Sequence, residues 1–133
     1  MIIDKDLQLS AAQAITADAA STNYIDQGAA GDAIRSGFLV VHCDTTFASA
    51  DDTATLVIKL QSDSDSGFAT ALVTHYASDA LAVGSAELTD GGMMKIPLPT
   101  GLKRYIRAYY DNGTQEFTAG KLDAFIVKDV DAA

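Results

Sequence analysis

A chain of 133 residues with 48% hydrophobic and 20% charged residues is long enough and apolar enough to form one folded domain with its own core. Its formal net charge of −9 repels phosphate backbones and anionic lipid surfaces, so the composition argues against direct nucleic-acid binding and against a membrane partner. A basic protein partner is compatible with this charge, as is an acidic monomer.

The first residues lack the basic region and apolar run of a signal peptide, and no stretch approaches the roughly 20 apolar residues of a membrane helix. One cysteine allows no intrachain disulfide. We therefore expect a single domain over residues 1–133 that is made in a reducing cytoplasm.

Residues 1–36 are rich in Ala, Ser, Thr, Asp and Gly, and they predict an extended arm with one or two short strands and a loop. Arms of this kind can pack on a neighbouring subunit. The candidate arm contacts are the apolar and aromatic residues Leu7, Leu9, Ile15, Tyr24 and Ile25. An ordinary first strand followed by a long loop is the alternative, and the sequence favours neither.

Residues 37–133 predict the core strands. Residues 53–61 alternate most cleanly, with Ala54, Leu56 and Ile58 on the apolar face. Seven or eight short strands separated by polar turns, with no clear amphipathic helix, predict an all-β fold. We expect an antiparallel β-sandwich that is jelly-roll-like. The predicted core strands are 38–44, 53–61, 71–76, 86–88, 93–98, 102–110 and 118–127.

The chain is organised around residues 96–110. Pro97 and Pro99 cannot donate to a sheet ladder, so they mark an edge, an end or a crossing between strands. The aromatic and branched residues that follow favour a strand at the centre of a sheet. Its apolar side carries Leu102, Ile106, Ala108 and Tyr110, with Arg104 as an exception. The other side is a candidate protein-contact face, or else a plain sheet surface, and carries Lys103, Tyr105, Arg107 and Tyr109.

Asn112 and Gly113 form a strong turn signal. The strands on either side of it are predicted to pair as an antiparallel hairpin. Such a hairpin could place Asp123 near Arg107.

No cofactor, metal site or catalytic constellation is predicted. Residues 62–67 (Ser-Asp-Ser-Asp-Ser-Gly) resemble a calcium loop, but the glycine and the twelfth residue, Thr74, do not fit, so a solvated turn is expected. His42 and His75 stand alone in separate strands, and a metal-ligand pair is the minor alternative. Cys43 in an apolar strand predicts a buried, unreactive thiol.

Enzyme signatures are also missing from the sequence. It contains no Gly-x-Ser-x-Gly elbow and no phosphate loop. Paired carboxylates for glycoside hydrolysis remain an open alternative because acidic residues are plentiful, but those at 51–52 and at 129 and 131 fall in turns or in the tail. We expect a protein that is not an enzyme.

Four stretches, in order and spacing, resemble the capsid cement (decoration) proteins of tailed bacteriophages, of the Bordetella-phage type. They are residues 21–28 (STNYIDQG), 60–68 (LQSDSDSGF), 96–110 (IPLPTGLKRYIRAYY) and 117–122 (FTAGKL). The proline-to-tyrosine stretch is the most specific of the four, and the resemblance covers nearly the whole chain.

The resemblance implies a jelly-roll-like sandwich on the exterior of the virion capsid, where it bridges subunits of the major capsid protein and resists internal DNA pressure. It also implies a homo-oligomer, either dimer or trimer, and no catalytic residues. The rival from another class is a carbohydrate-binding β-sandwich module, in which Tyr105 and Tyr109 would stack on sugars. Against this rival, the chain has no tryptophan.

Overall fold

Strands that are apolar on one face are stable only when that face is buried, and here two sheets bury their apolar faces against each other. The computed structural model describes residues 7–28, 37–113 and 115–127. Its strands, in chain order, are β1 (Gln8–Ala14), β2 (Ala19–Ala20), β3 (Ile25–Asp26), β4 (Phe38–Ala48), β5 (Thr55–Asp63), β6 (Val73–Ala77), β7 (Leu81–Ala82), β8 (Met93–Pro97), β9 (Tyr105–Asp111) and β10 (Ala119–Val127).

Every strand pair in the two sheets is antiparallel, so the predicted all-β sandwich is confirmed. The first sheet has the order β1-β10-β4-β8. The second has the order β2-β9-β5-β6, and β3 and β7 add to β9 and β5 respectively. The first and last strands are therefore neighbours, and most successive strands change sheet. The finer jelly-roll assignment stays a prediction.

The core lies between the sheets, and its residues come from the predicted apolar faces. On β5, Leu56, Ile58 and Leu60 are buried, as are Ile106, Ala108 and Tyr110 on β9. The Tyr110 hydroxyl lies 2.8 Å from Ser10 Oγ on β1, which joins the two sheets by a buried hydrogen bond. Burial raises the pKa of Tyr110 above its usual range, so the phenol stays protonated.

The predicted hairpin at Asn112 is wrong, because β9 and β10 belong to different sheets. The Asn112 backbone N–H donates to Asp18 Oδ1 at 2.7 Å, which holds this turn at the end of the sandwich as a crossing between layers. Asp123 therefore lies opposite His42 on β4, and Arg107 lies opposite Gln61 on β5.

Residues 7–28 do not form a free arm. β1 pairs with β10, while β2 and β3 pair with β9, so this segment completes the edges of both sheets. Of the two alternatives, the ordinary first strand is the one observed. Residues 1–6 and 29–36, which belong to the same predicted arm, lie outside the described residues.

Two smaller predictions are also corrected. Residues 86–88, expected to be a short strand, form a 3-10 helix (Ala86–Leu88). β4 continues to Ala48 through residues that were expected to turn, since pairing with β10 reaches Ala119 opposite Ala48.

Candidate protein-contact face

β9 places the four predicted contact residues on the outer side of the second sheet. It is flanked by β2 and β3 on one side and by β5 on the other, so it is central, as predicted. Tyr105, Arg107 and Tyr109 are half-buried there, as is Lys103 just before the strand. Their alternation with buried neighbours follows the two-residue period of a strand.

Two further aromatic residues join this surface from outside β9. Tyr24, 49% exposed, lies edge-on to Tyr105 with ring centroids 5.6 Å apart. Its ring is also edge-on to Phe68 at 6.0 Å. Edge-to-face contacts of this kind hold rings in fixed orientations. Sequence analysis predicted Tyr24 as an arm contact but gave no role to Phe68, because the loop that carries it lies far away in sequence.

Cations lie over these rings. The Arg107 guanidinium is 4.5 Å from the Phe68 centroid and 5.3 Å from that of Tyr109. Arg104 lies 5.0 Å from the Tyr105 centroid, and Lys59 Nζ lies 5.9 Å from that of Tyr109. These distances are within the range of cation–π attraction. We call this surface the cation–aromatic face; it comprises Tyr24, Lys59, Phe68, Lys103, Arg104, Tyr105, Arg107 and Tyr109.

The charges of the face are unevenly compensated. Arg104 donates to both carboxylate oxygens of Asp26, at 2.8 and 3.0 Å, and this pairing lowers the pKa of Asp26. Lys59 Nζ is 3.3 Å from Asp111 Oδ2. By contrast, the hydrogen-bond acceptors of Arg107 and Lys103 are neutral: Gln61 Oε1 at 2.9 Å and the Ala71 carbonyl at 2.6 Å. Positive charge is therefore least neutralised around Arg107 and Lys103.

A buried carboxylate, Asp63, holds the loop that carries Phe68. Its side chain is fully buried and accepts the backbone N–H groups of Asp65, Thr70 and Ala71 at 3.1 to 3.2 Å. Burial alone would raise the pKa of Asp63, but these N–H bonds outweigh it and lower the pKa. Asp63 therefore departs from the predicted solvated turn. The contact with Asp65 two residues on is an Asx-type bond, a signal that the sequence did offer.

A second group of hydrogen bonds, around the buried Ser62, lies beside this loop. The Ser62 hydroxyl is 2.6 Å from His75 Nε2 and accepts the Lys103 backbone N–H at 3.0 Å. Burial, followed by the nearby Lys103 charge, lowers the pKa of His75, which favours the neutral ring at neutral pH, and Nε2 and the Ser62 hydroxyl share one hydrogen bond. Ser62 is fully enclosed, so this pair joins strands rather than presenting a nucleophile. His42 lies in the other sheet, 3.4 Å from Asp123, and the two histidines do not form a ligand pair.

Cys43 is buried, as predicted. Its Sγ donates to the Thr45 carbonyl at 3.2 Å. Burial, with a smaller contribution from Asp90, raises the pKa of the thiol to about 11. The unreactive thiol is therefore the state expected at neutral pH.

Three of the five predicted arm contacts are unavailable to another subunit. Leu9, Ile15 and Ile25 are at most 5% exposed and pack in the core of their own chain. Their apolar side chains close the sandwich at its edges, where β1 pairs with β10 and β3 pairs with β9. Leu7 is half-buried against the same core, and only Tyr24 is largely exposed.

A protein-family model named Bbp16 matches residues 9–126. The chain belongs to the Bbp16 family. That name suggests a protein of a Bordetella phage, and a phage-associated family suggests a virion protein. No curated protein matches the chain. Within the described ranges of this Bbp16-family chain, no helix is long and apolar enough to cross a membrane, and no group of three or more His, Cys, Asp or Glu side chains could hold a metal ion.

Proposed function

We propose that this chain is a non-enzymatic capsid cement protein of a tailed bacteriophage. It binds the outer surface of the assembled shell, bridges subunits of the major capsid protein and stabilises the shell against internal DNA pressure. The observation that carries the proposal is the cation–aromatic face, a row of fixed rings and cations on the outside of an acidic protein. Membership of the Bbp16 family supports the phage assignment.

The composition of the face supports a role in protein contact. Aromatic residues and arginine are enriched where proteins bind one another, because they bury a large area at a small entropic cost. Here Tyr24, Tyr105 and Arg107 are already ordered by their neighbours, so little freedom is lost on docking. An outward protein-binding surface on a rigid sandwich is what a cement protein requires.

Cementing also benefits from symmetry. A homo-oligomer, dimer or trimer, would engage several capsid subunits at once, and the second contact then forms at a high effective concentration. Several modest contacts can in this way give tight overall binding, without any single large interface.

The strand order supports the jelly-roll part of the proposal. If β2 and β3 are counted as one strand and β7 as an extension beside β5, the described residues form two four-stranded sheets. The first strand lies beside the last, and the chain crosses between layers repeatedly, as in folds built from two Greek keys.

The alternative, a carbohydrate-binding module, fits this face less well. A sugar-stacking platform needs accessible ring faces, yet Arg104 lies over Tyr105, and both Arg107 and Lys59 lie over Tyr109. Tyr24 and Tyr105 meet at 74° rather than lying in a common plane. These rings are arranged to fix cations, which suits a protein partner better.

The direct test uses shells that lack this protein. Shells assembled from the major capsid protein of the phage that encodes this chain are mixed with the purified protein and sedimented. We expect saturable binding at a fixed ratio to the capsid subunit, together with a higher disruption temperature of the shells. Absence of the protein from the shell pellet would contradict the proposal, and calcium-dependent binding on a glycan array would favour the alternative.

A further inference from the structure

The position of Arg107 carries an inference about the chemistry of the partner. Its guanidinium is close to two rings, Phe68 at 4.5 Å and Tyr109 at 5.3 Å, and its Nε donates to Gln61 Oε1 at 2.9 Å. These contacts fix the plane of the guanidinium. Its terminal nitrogens make no hydrogen bond to the described residues, so their donors remain available.

Among the described residues, no carboxylate forms an ion pair with Arg107. The side chain is half-buried, and burial lowers the pKa of its guanidinium, a sign that water solvates the charge poorly. Asp63 attracts the Arg107 charge through space, but its carboxylate is engaged by backbone N–H groups of its own loop and forms no hydrogen bond to Arg107. Arg104, by comparison, is more exposed and already paired on both oxygens of Asp26.

We propose that Arg107 is a preformed receptor for an acidic side chain, Asp or Glu, on the capsid subunit; this rests on the proposed function. A planar guanidinium binds a carboxylate through two parallel N–H bonds, and preorganisation by stacking reduces the entropic cost. The charge distribution supports an acidic partner. Four of the six described Lys and Arg residues belong to the cation–aromatic face, although the whole chain carries −9.

The first test compares a substitution on the face with one away from it in the shell-binding assay. Arg107→Lys keeps the positive charge but loses the planar pair of N–H donors and the ring stacking, so we expect shell affinity to fall roughly tenfold. The matched control, Lys95→Arg, exchanges the same two residue types at an exposed position on β8 of the first sheet, outside the cation–aromatic face, and should stay within about twofold of wild type. Thermal unfolding of both variants checks that the fold is intact. Shell affinity of Arg107→Lys equal to that of wild type would overturn the proposal.

A second test needs no shells. The protein with isotope-labelled arginine side chains is titrated with a capped hexaglutamate peptide and, separately, with capped hexaglutamine, and the guanidinium signals are followed by NMR. We expect the Arg107 signals to move with hexaglutamate and not with hexaglutamine, and to move more than those of Arg104. An equal response to both peptides, or none, would overturn the proposal. If the wild-type protein fails to bind shells, the proposed function is lost, and this titration decides the carboxylate receptor separately.

Discussion

Asp63 shows how one residue can organise a surface. It lies in a Ser- and Asp-rich stretch whose composition indicates a solvated turn, yet its carboxylate is enclosed and accepts N–H groups from three residues of the following loop. Buried donors need acceptors, and Asp63 supplies them where no strand does. The loop in turn positions Phe68 beside Arg107 and Tyr24.

We expect Asp63→Asn to destabilise the fold and loosen this loop. The amide keeps one acceptor oxygen but loses the charge that strengthens bonds to the N–H groups of Thr70 and Ala71. Thermal unfolding should show a lower midpoint, and hydrogen exchange should speed up at these two amides. Asp65→Asn, a change at a neighbouring acid with a more exposed side chain, is the control.

The stability difference between wild type and Asp63→Asn should also depend on pH. Because the pKa of Asp63 is lowered in the folded protein, its stabilising contribution is present above the unfolded value of about 3.8 and is lost as pH falls toward the folded pKa. Wild type should therefore lose more stability than Asp63→Asn between pH 5 and pH 3, taken as about one pH unit on either side of that value. Equal losses in the two proteins would show that Asp63 is not held as a carboxylate.

Folding stability should also depend on pH through His75, in a higher pH range than through Asp63. Burial and Lys103 lower its folded pKa, so the unfolded chain takes up a proton first as pH falls below about 6.5. Stability should decline from that pH down to the folded pKa and then level off. His75→Gln, whose amide can still accept the Ser62 hydroxyl, should lack this decline, whereas His42→Gln should retain it. Urea unfolding at a series of pH values measures the difference.

At the scale of strands, the two-residue period predicted which faces are buried but not which strands pair. The faces of β5 and β9 follow directly from their alternating sequences, because a half-buried strand must segregate apolar side chains. The hairpin at Asn112 failed because a turn signal does not say whether the chain stays in its sheet or crosses to the other. Contacts with Asp18, 94 residues away in sequence, decide that.

The candidate site was predictable to the same extent. Alternation along residues 102–110 predicted Lys103, Tyr105, Arg107 and Tyr109, since the last three lie on β9 and Lys103 lies just before it. Tyr24 and Phe68 join them only through strand pairing and loop folding, which local sequence patterns do not specify. The sequence left the arm and the ordinary first strand open for a related reason: the apolar residues within 7–28 are sparse, and only pairing with β10 and β9 shows that they complete the core.

Close packing at β10 yields a further prediction. Gly120 has φ of 142°, and a Cβ there would overlap the ring of Phe47, which itself packs edge-on against Phe117. Gly120→Ala should destabilise by about 1–3 kcal/mol through crowding, in addition to backbone strain. Gly84→Ala, at φ of 91° with no atom near the added Cβ, isolates the strain alone. Chemical denaturation should show the larger loss for Gly120→Ala, and equal losses would argue against tight packing at Phe47.

At the scale of the whole molecule, the sandwich supplies a rigid support, and the second sheet supplies the surface proposed to bind the capsid. The outer side of the first sheet differs, because Val40, Phe125 and Val127 form a separate buried apolar cluster there. The two outer faces are therefore chemically distinct. This asymmetry fits a protein that presents one particular side to its partner.

A symmetric clamp requires a defined assembly, so we expect a fixed dimer or trimer in solution. Light scattering at several protein concentrations would give its mass. A mass that stays at two or three chains across the range supports a preformed clamp. A mass of one chain, 13.9 kDa, at every concentration would contradict it and would confine any oligomer to the shell.

The central claim concerns which surface of this protein meets the capsid, and a cryo-electron microscopy reconstruction of shells saturated with the protein tests it most directly. We expect density for the sandwich on the outside of the shell, with Arg107, Tyr105 and Tyr24 against the major capsid protein and an acidic side chain at Arg107. A reconstruction with the second sheet turned toward solvent, or with no added density, would contradict it.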